Sequence, residues 1–310
     1  MDPFDRTLAG AAFMRATHFG GIATLCLLLA LAAGAVAGIG VFGRGDMASE
    51  TVTSVRGESY ELIKDGVYAY NSERLVAEGV GWDIFTLFIV VPAMLIALPA
   101  LRRGSLVALL FVIGLLGYLF YQYLMYAMAW AFGPLFLPFV VIYAMSLAAI
   151  VWIISTIDVS ALPTRFDSRF PAKGMAIFSF VMALLLVSMW AQRISVGLSG
   201  DLEGAMLLGQ TTMVVQGLDL GLIVPLAVFT GLMVWQKRAW GYLLASVLVV
   251  KAIAMCGAIT AMLVSAWVVE GAPDIGGLAI FVTAAFVSLW LGHRMLRSAI
   301  PAGIVTGTAD

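Results

Sequence analysis

The sequence predicts an all-α polytopic membrane protein: about eight transmembrane helices in two parallel four-helix repeats, with a small extracytoplasmic β-hairpin. Three observations carry this expectation. Of 310 residues, 62% are apolar and 11% charged, against about 45–50% and 25% in a soluble domain. Eight apolar runs are long enough to cross a hydrocarbon core, which takes about 20 residues per helix. The second half of the chain reads as a weak copy of the first. So few charges cannot cover a water-soluble surface, which excludes a cytosolic enzyme, a nucleic-acid binder and a disulfide-built secreted scaffold.

The runs fall at 22–42, 83–101, 105–130, 134–156, 174–193, 212–235, 240–265 and 276–293. They are continuous rather than alternating, so they read as helices that satisfy their own backbone, not as barrel strands. Twenty-one residues precede the first run, and no convincing small-residue cleavage site follows it, so it reads as a span and not a cleaved signal.

Orientation follows from Lys and Arg in the short flanks. With the N-terminus inside, one face holds Arg6, Arg15, Arg102, Arg103, Arg165, Arg169, Lys173, Lys237, Arg238, Arg294 and Arg297. The other holds Arg44, Arg56, Lys64, Arg74 and Arg193. Eleven against five places both termini in the cytoplasm. The expected organisation is a cytoplasmic N-terminal segment (1–21), a first four-helix unit (22–156), a cytoplasmic linker (157–173), a second unit (174–297) and a cytoplasmic tail (298–310).

The repeat is clearest around the second and sixth runs, GWDIFTLFIVVPAMLIALPALRRGS and GLDLGLIVPLAVFTGLMVWQKRAWG. In each, an Asp opens the span, a Pro follows and a basic pair closes it. Asp83 and Asp219 then sit about 27–29 Å from the cytoplasmic anchor, near the outer interface. An even number of helices per unit gives both halves the same orientation, as in parallel-repeat transporters.

Residues 43–82 form the one sizeable water-soluble segment. TVTSV (51–55) and YELI (60–63) carry β-type residues, Lys64-Asp65-Gly66 is a turn signal leading into VYAY (67–70), and Ser72 is placed to cap a short helix, ERLVAEGV. The segment reads as a cover over the helix ends, or as a ligand gate or a docking surface for a protein partner.

Candidate chemistry lies within the membrane. Lys251 falls about 16 Å along the seventh span, near the midplane, where an ammonium needs a cavity or a partner. Three readings compete: a structural Lys paired in the bundle, a substrate, ion or proton-coupling residue, or a covalent amine such as a Schiff-base site. Asp219 is the obvious counter-ion, although it lies roughly 11 Å further out by helix rise. Asp83 and Asp219 otherwise cap or line an outer vestibule with Gln216 and Thr212. Tyr118, Gln122 and Tyr126 recur at i, i+4 and i+8 on the third span, offering a polar wall opposite Lys251 or an aromatic belt with one interhelical hydrogen bond.

Other features point to packing. His18 and His293 lie at helix ends and share no depth for a haem. Cys26 and Cys256 fall within spans and suggest neither a disulfide nor a metal site. No phosphate loop, nucleophile elbow or zinc helix occurs. The expectation is therefore no cofactor and no metal, and a lipid bilayer with a small-molecule or ion substrate as partners.

The spellings TVTSVRGE (51–58), GWDIFTLFIVVP (81–92), YLFYQYLMYAM (118–128) with FLP (136–138), and QGLDLGLIVPL (216–226) resemble uncharacterised multi-spanning membrane proteins of bacteria. That resemblance covers most of the chain and carries no activity with it; it implies a bacterial cytoplasmic membrane. Three functions remain open on the sequence: a transporter or channel-like protein using Lys251, Asp219, Gln122 and Tyr118, a membrane-embedded enzyme or chromophore or lipid binder using Lys251, and a non-catalytic assembly or sensor subunit.

Overall fold

A computed structural model describes the backbone of residues 3–300 and the side chains of residues 19–300. His18, Arg6 and Arg15 lie outside the described side chains, as does most of the tail expected at 298–310. Among the described residues, eight helices are long and apolar enough to cross a membrane, and the protein is an all-α polytopic membrane protein. They are α1 (Phe19–Phe42, continuous with a helix from Pro3), α2 (Glu73–Arg102), α3 (Leu106–Ala129), α4 (Phe136–Ser155), α5 (Ala172–Leu198), α6 (Val214–Trp235), α7 (Ala239–Glu270) and α8 (Ile275–Ser298).

Local sequence explains the ends. The Ser72 hydroxyl accepts from the Leu75 N–H and starts α2, so the expected short helix and the second span form one continuous element. The Asp274 carboxylate accepts from the Gly277 N–H at the start of α8. Gly271, at φ 73°, closes α7 in the left-handed conformation that glycine adopts without strain.

Both α2 and α6 are interrupted by a π-helical turn, Thr86–Val90 and Asp219–Ile223. Each precedes a Val-Pro pair, Val91-Pro92 and Val224-Pro225. Proline lacks the N–H for the i−4 carbonyl and its ring crowds that oxygen. The helix widens, and the valine N–H bonds instead to Thr86 or Asp219 five residues back. Counted from the proline, Asp219 stands where Thr86 stands, and Gln216 where Asp83 stands. The same spacing holds in the next helices: Leu106 and Ala239 open α3 and α7, and Tyr118 on α3 has Lys251 as its counterpart on α7.

Packing follows a recurring scheme. α1 packs on α2, α2 on α3 and α3 on α4; α5 packs on α6, α6 on α7 and α7 on α8. Across the two groups, α3 meets α7, α2 meets α7 and α3 meets α6. Small residues allow these crossings. A Cβ at Gly81 would lie 2.5 Å from the Ala261 carbonyl oxygen, and one at Gly114 would lie 2.5 Å from the Val250 side chain. α3 is the central helix, with 72% of its most apolar stretch buried. Outward-facing residues such as Leu28, Leu31, Val151, Leu184 and Phe286 are exposed and apolar, as lipid contact requires.

The soluble segment contains one antiparallel pair, β1 (Ser49–Thr53) and β2 (Ser59–Ile63), with Ser49 opposite Ile63 and Thr53 opposite Ser59. The hairpin therefore turns at 54–58, and Lys64-Asp65-Gly66 leads not into a strand but into a turn with Gly66 at φ 78°. Tyr68 from that turn is buried against α3, its ring 4.2 Å from that of Trp130. At the opposite end of the molecule, Val159–Arg165 form a 3-10 helix packed on α7. The Phe166–Ala299 bridge pins the end of α8 to this connector.

Candidate functional site

Lys251 projects from α7 towards α3, where Gly117 leaves space beside its aliphatic stem. Its Nζ lies 4.7 Å from the ring centroid of Tyr121. Among the described residues no carboxylate comes within ion-pair distance of this ammonium, and no hydrogen bond to it is formed. Lys251 and Asp219 are thus neighbours in the electrostatic sense and not a direct pair.

Asp219 stands on the π-helical turn of α6, where the widened backbone carries the side chain inward. One carboxylate oxygen accepts from the Tyr121 hydroxyl at 2.5 Å, and the other accepts from the Trp190 indole N–H at 2.8 Å. Tyr121 therefore touches both charges, through its ring face on one side and its hydroxyl on the other. The counterpart location on α2 and α3 holds uncharged groups: the Thr86 and Tyr118 hydroxyls share a hydrogen bond of 2.8 Å.

Lys251, Asp219, Tyr121 and Trp190 line one cavity of about 700 Å³. Its walls come from α2 and α3 of the first four spans and from α5, α6, α7 and α8 of the second. Most of the surface is apolar, and methionine is prominent: Met125, Met182, Met189, Met255 and Met262 all face it. Flexible thioethers adapt to irregular apolar bodies. Cys256 also reaches the wall and is a free thiol.

Towards the hairpin, charged groups line the cavity. Arg74 on α2 bonds Glu78 at 3.0 Å and, through one nitrogen, both oxygens of Glu270 at the end of α7, at 2.6 and 2.8 Å. Arg193 donates to the carbonyls of Ala205 and Met206, at 2.7 and 2.9 Å, and so holds the 199–213 loop over the cavity. The β-hairpin clamps the same loop: Arg56 donates to the Thr211 carbonyl at 2.8 Å, and the Gly209 N–H donates to the Glu58 carboxylate.

Of the residues singled out in the sequence, Lys251, Asp219, Gln216 and Tyr126 meet at this cavity. Asp83, Tyr118 and Gln122 do not line it. Asp83 is sealed on its flank of α2 by the Tyr68 hydroxyl at 2.5 Å and the Tyr126 hydroxyl at 3.5 Å, so it does not open onto a vestibule. Tyr118 stacks on Trp82 and bonds Thr86. Gln122 is 1% exposed, and neither its Oε1 nor its Nε2 makes a hydrogen bond within the protein. On α3 the cavity wall is mainly the adjacent stripe, Tyr121 with Met125, and Tyr126 is the one member of the expected stripe that reaches it. Tyr121 and Trp190 were not expected at the site, because aromatic residues in the outer half of a span read as interface anchors.

The chain matches no family model, no curated protein and no solved structure in the comparisons made.

Proposed function

We propose that this integral membrane protein is a transporter-type carrier that takes a small molecule into the cavity between its two groups of four helices, with Lys251 and Asp219 reading the molecule's polar end. One observation carries the reading: the Lys251 ammonium faces a 700 Å³ cavity with its donors unused by protein groups. A buried ammonium is costly in a bilayer, and such groups mark ligand and ion pathways. The matching π-helical turns and packing scheme of α2–α3 and α6–α7 support a parallel four-plus-four repeat, and sites between repeats are common in transporters. The distribution of basic flanks favours a hairpin outside and both termini in the cytoplasm, and the resemblance to bacterial membrane proteins favours a bacterial inner membrane.

The test is access to the cavity from both sides of a membrane. Ala252, beside Lys251, lines the cavity. In a cysteine-free background, Ala252→Cys is exposed to a membrane-impermeant thiol reagent in sealed vesicles of each orientation. A carrier exposes this position to each side in turn, so labelling is expected from both. Labelling from one side only, with and without a potential or proton gradient, overturns the carrier reading.

A further inference from the structure

We infer that the ligand is a neutral lipophile that enters from the membrane between α5 and α8 and presents an oxygen acceptor, as a quinone or other lipophilic ketone does, to the Lys251 ammonium. This rests on the reading that the cavity between the helix groups is the binding site.

Charge comes first. The deep end of the cavity holds one cation, Lys251, and one anion, Asp219. The remaining charged groups on the wall are Arg74, Glu78, Arg193 and Asp274, two of each sign. The lining is therefore balanced. An anionic head brought to Lys251 leaves net negative charge in a low-dielectric space beside Asp219, and a cationic head meets Lys251 itself. A neutral oxygen acceptor adds no net charge. Asp219 already accepts from Tyr121 and Trp190, whereas the Lys251 N–H groups are the strong donors that face the cavity unused.

The walls suit a long or ring-shaped apolar body, since Met182, Met189, Met255, Phe178 and Phe281 surround the space beyond Lys251.

The flank formed by α5 and α8 gives access from the membrane. In the first four spans the flanking helices α1 and α4 pack on each other. Their counterparts by order, α5 and α8, have no comparable run of packing: α5 rests on α6 and α8 rests on α7. The two approach at the arginine-rich end, where a Cβ on Gly174 would lie 3.0 Å from Leu291. Towards the hairpin end, residues of both helices line the cavity: Leu185 and Met189 on α5, Gly277 and Ile280 on α8. Ile280 is 42% exposed, and Leu184, next to Leu185 but outside the cavity lining, is 67% exposed. The seam between α5 and α8 thus joins the cavity to the lipid-facing surface, while the loop and ion pairs above cover the aqueous end.

The experiment measures binding to the full-length protein in nanodiscs by quenching of tryptophan fluorescence, with Trp82 and Trp190 on the wall as reporters. Three probes of matched chain length are compared: decylubiquinone, decanoate and decylamine. Decylubiquinone is expected to bind saturably, and Lys251→Met to weaken it at least tenfold. Lys251→Gln, which keeps a donor, is expected to fall between the two, and melting curves confirm that each variant is folded. Decanoate and decylamine are expected not to compete. In stopped-flow measurements Ile280→Trp, which fills the seam, is expected to slow association several-fold; an unchanged rate overturns entry between α5 and α8. Lys251-dependent binding of decanoate or decylamine in preference to the quinone overturns the ligand class and leaves the binding site standing. Equal binding of every probe to wild type and Lys251→Met, or no binding at all, removes the site reading with it.

Discussion

The ammonium of Lys251 lies 4.7 Å above the ring of Tyr121, and the hydroxyl of that ring donates to Asp219 at 2.5 Å. One side chain thus stabilises a buried cation through its face and a buried anion through its edge. The two charges are held near one another without neutralising in a direct pair, which leaves the ammonium turned to the cavity. The arrangement favours ligand contact over stability.

It follows that Lys251→Met stabilises the protein measured without added ligand. The ammonium makes no hydrogen bond in the structure, and a midspan Lys costs about 2.5–3.5 kcal/mol on insertion scales. Methionine fills similar volume among methionines. Recovering even 1 kcal/mol shifts the melting temperature by about 2–4 °C for a chain of this order. A melting temperature below wild type would mean that Lys251 is a structural member of the bundle.

Tyr121→Phe is expected to act in the opposite direction. It keeps the ring under Lys251 but removes the donor to Asp219, leaving a buried carboxylate oxygen short of a partner, at a cost of about 1–3 kcal/mol. Tyr121→Leu loses the cation–π contact as well and is expected to fall further, by about 0.5–2 kcal/mol. Equal melting temperatures for the two variants would show that the ring face contributes nothing. Trp190→Phe tests the second donor, and combined with Tyr121→Phe its effect is expected to be non-additive, because both act on one carboxylate.

Gln122 offers a separate stability prediction. Its amide is buried on the central helix with both polar atoms unpartnered in the protein. Gln122→Met retains the length and removes the unsatisfied groups, so thermal unfolding is expected to move up, by an amount corresponding to about 1 kcal/mol or more. Because Gln122 does not line the cavity, ligand binding is expected to stay unchanged. A loss of binding without loss of stability would place Gln122 in the site after all.

The contrast between Tyr118 and Tyr121 shows how far the sequence is legible. The eight spans were readable because apolar runs in a bilayer must be helical, and Ser72 was readable because a cap acts over three residues. Lys251 and Asp219 were readable because charge within a span is rare. Their partners were not. Tyr118, Gln122 and Tyr126 form the more conspicuous polar stripe, yet only Tyr126 of them reaches the cavity, because which stripe of α3 faces α7 depends on how closely the helices cross at Gly114 and Gly117. The Asp83–Tyr68 bond likewise joins a span to a loop turn, a long-range contact that no local spacing encodes. Spelling also misaligns the two spans: Asp83 and Asp219 look equivalent in the sequence, whereas counting from the prolines and π-helical turns sets Asp219 beside Thr86.

The β-hairpin supplies the last prediction. Two polar contacts join it to the 199–213 loop beside the packing of Tyr60 on Gly209: Arg56 to Thr211, which is exposed, and Gly209 to Glu58, which is half-buried; polar contacts so near water contribute little to global stability. Their effect is local. The loop carries Ala205, Met206 and Leu207 onto the cavity wall, and Arg193 fixes it from below. Arg56→Ala with Glu58→Ala is therefore expected to leave the melting temperature within about 2–4 °C of wild type, the shift equivalent to 1 kcal/mol. Cleavage after Glu203 by a glutamate-specific protease is expected to accelerate, because local opening governs proteolysis of an otherwise folded chain. The same variant is expected to label faster at Ala252→Cys from the hairpin side. If cleavage and labelling both match wild type, Arg56 and Glu58 do not hold this loop over the cavity.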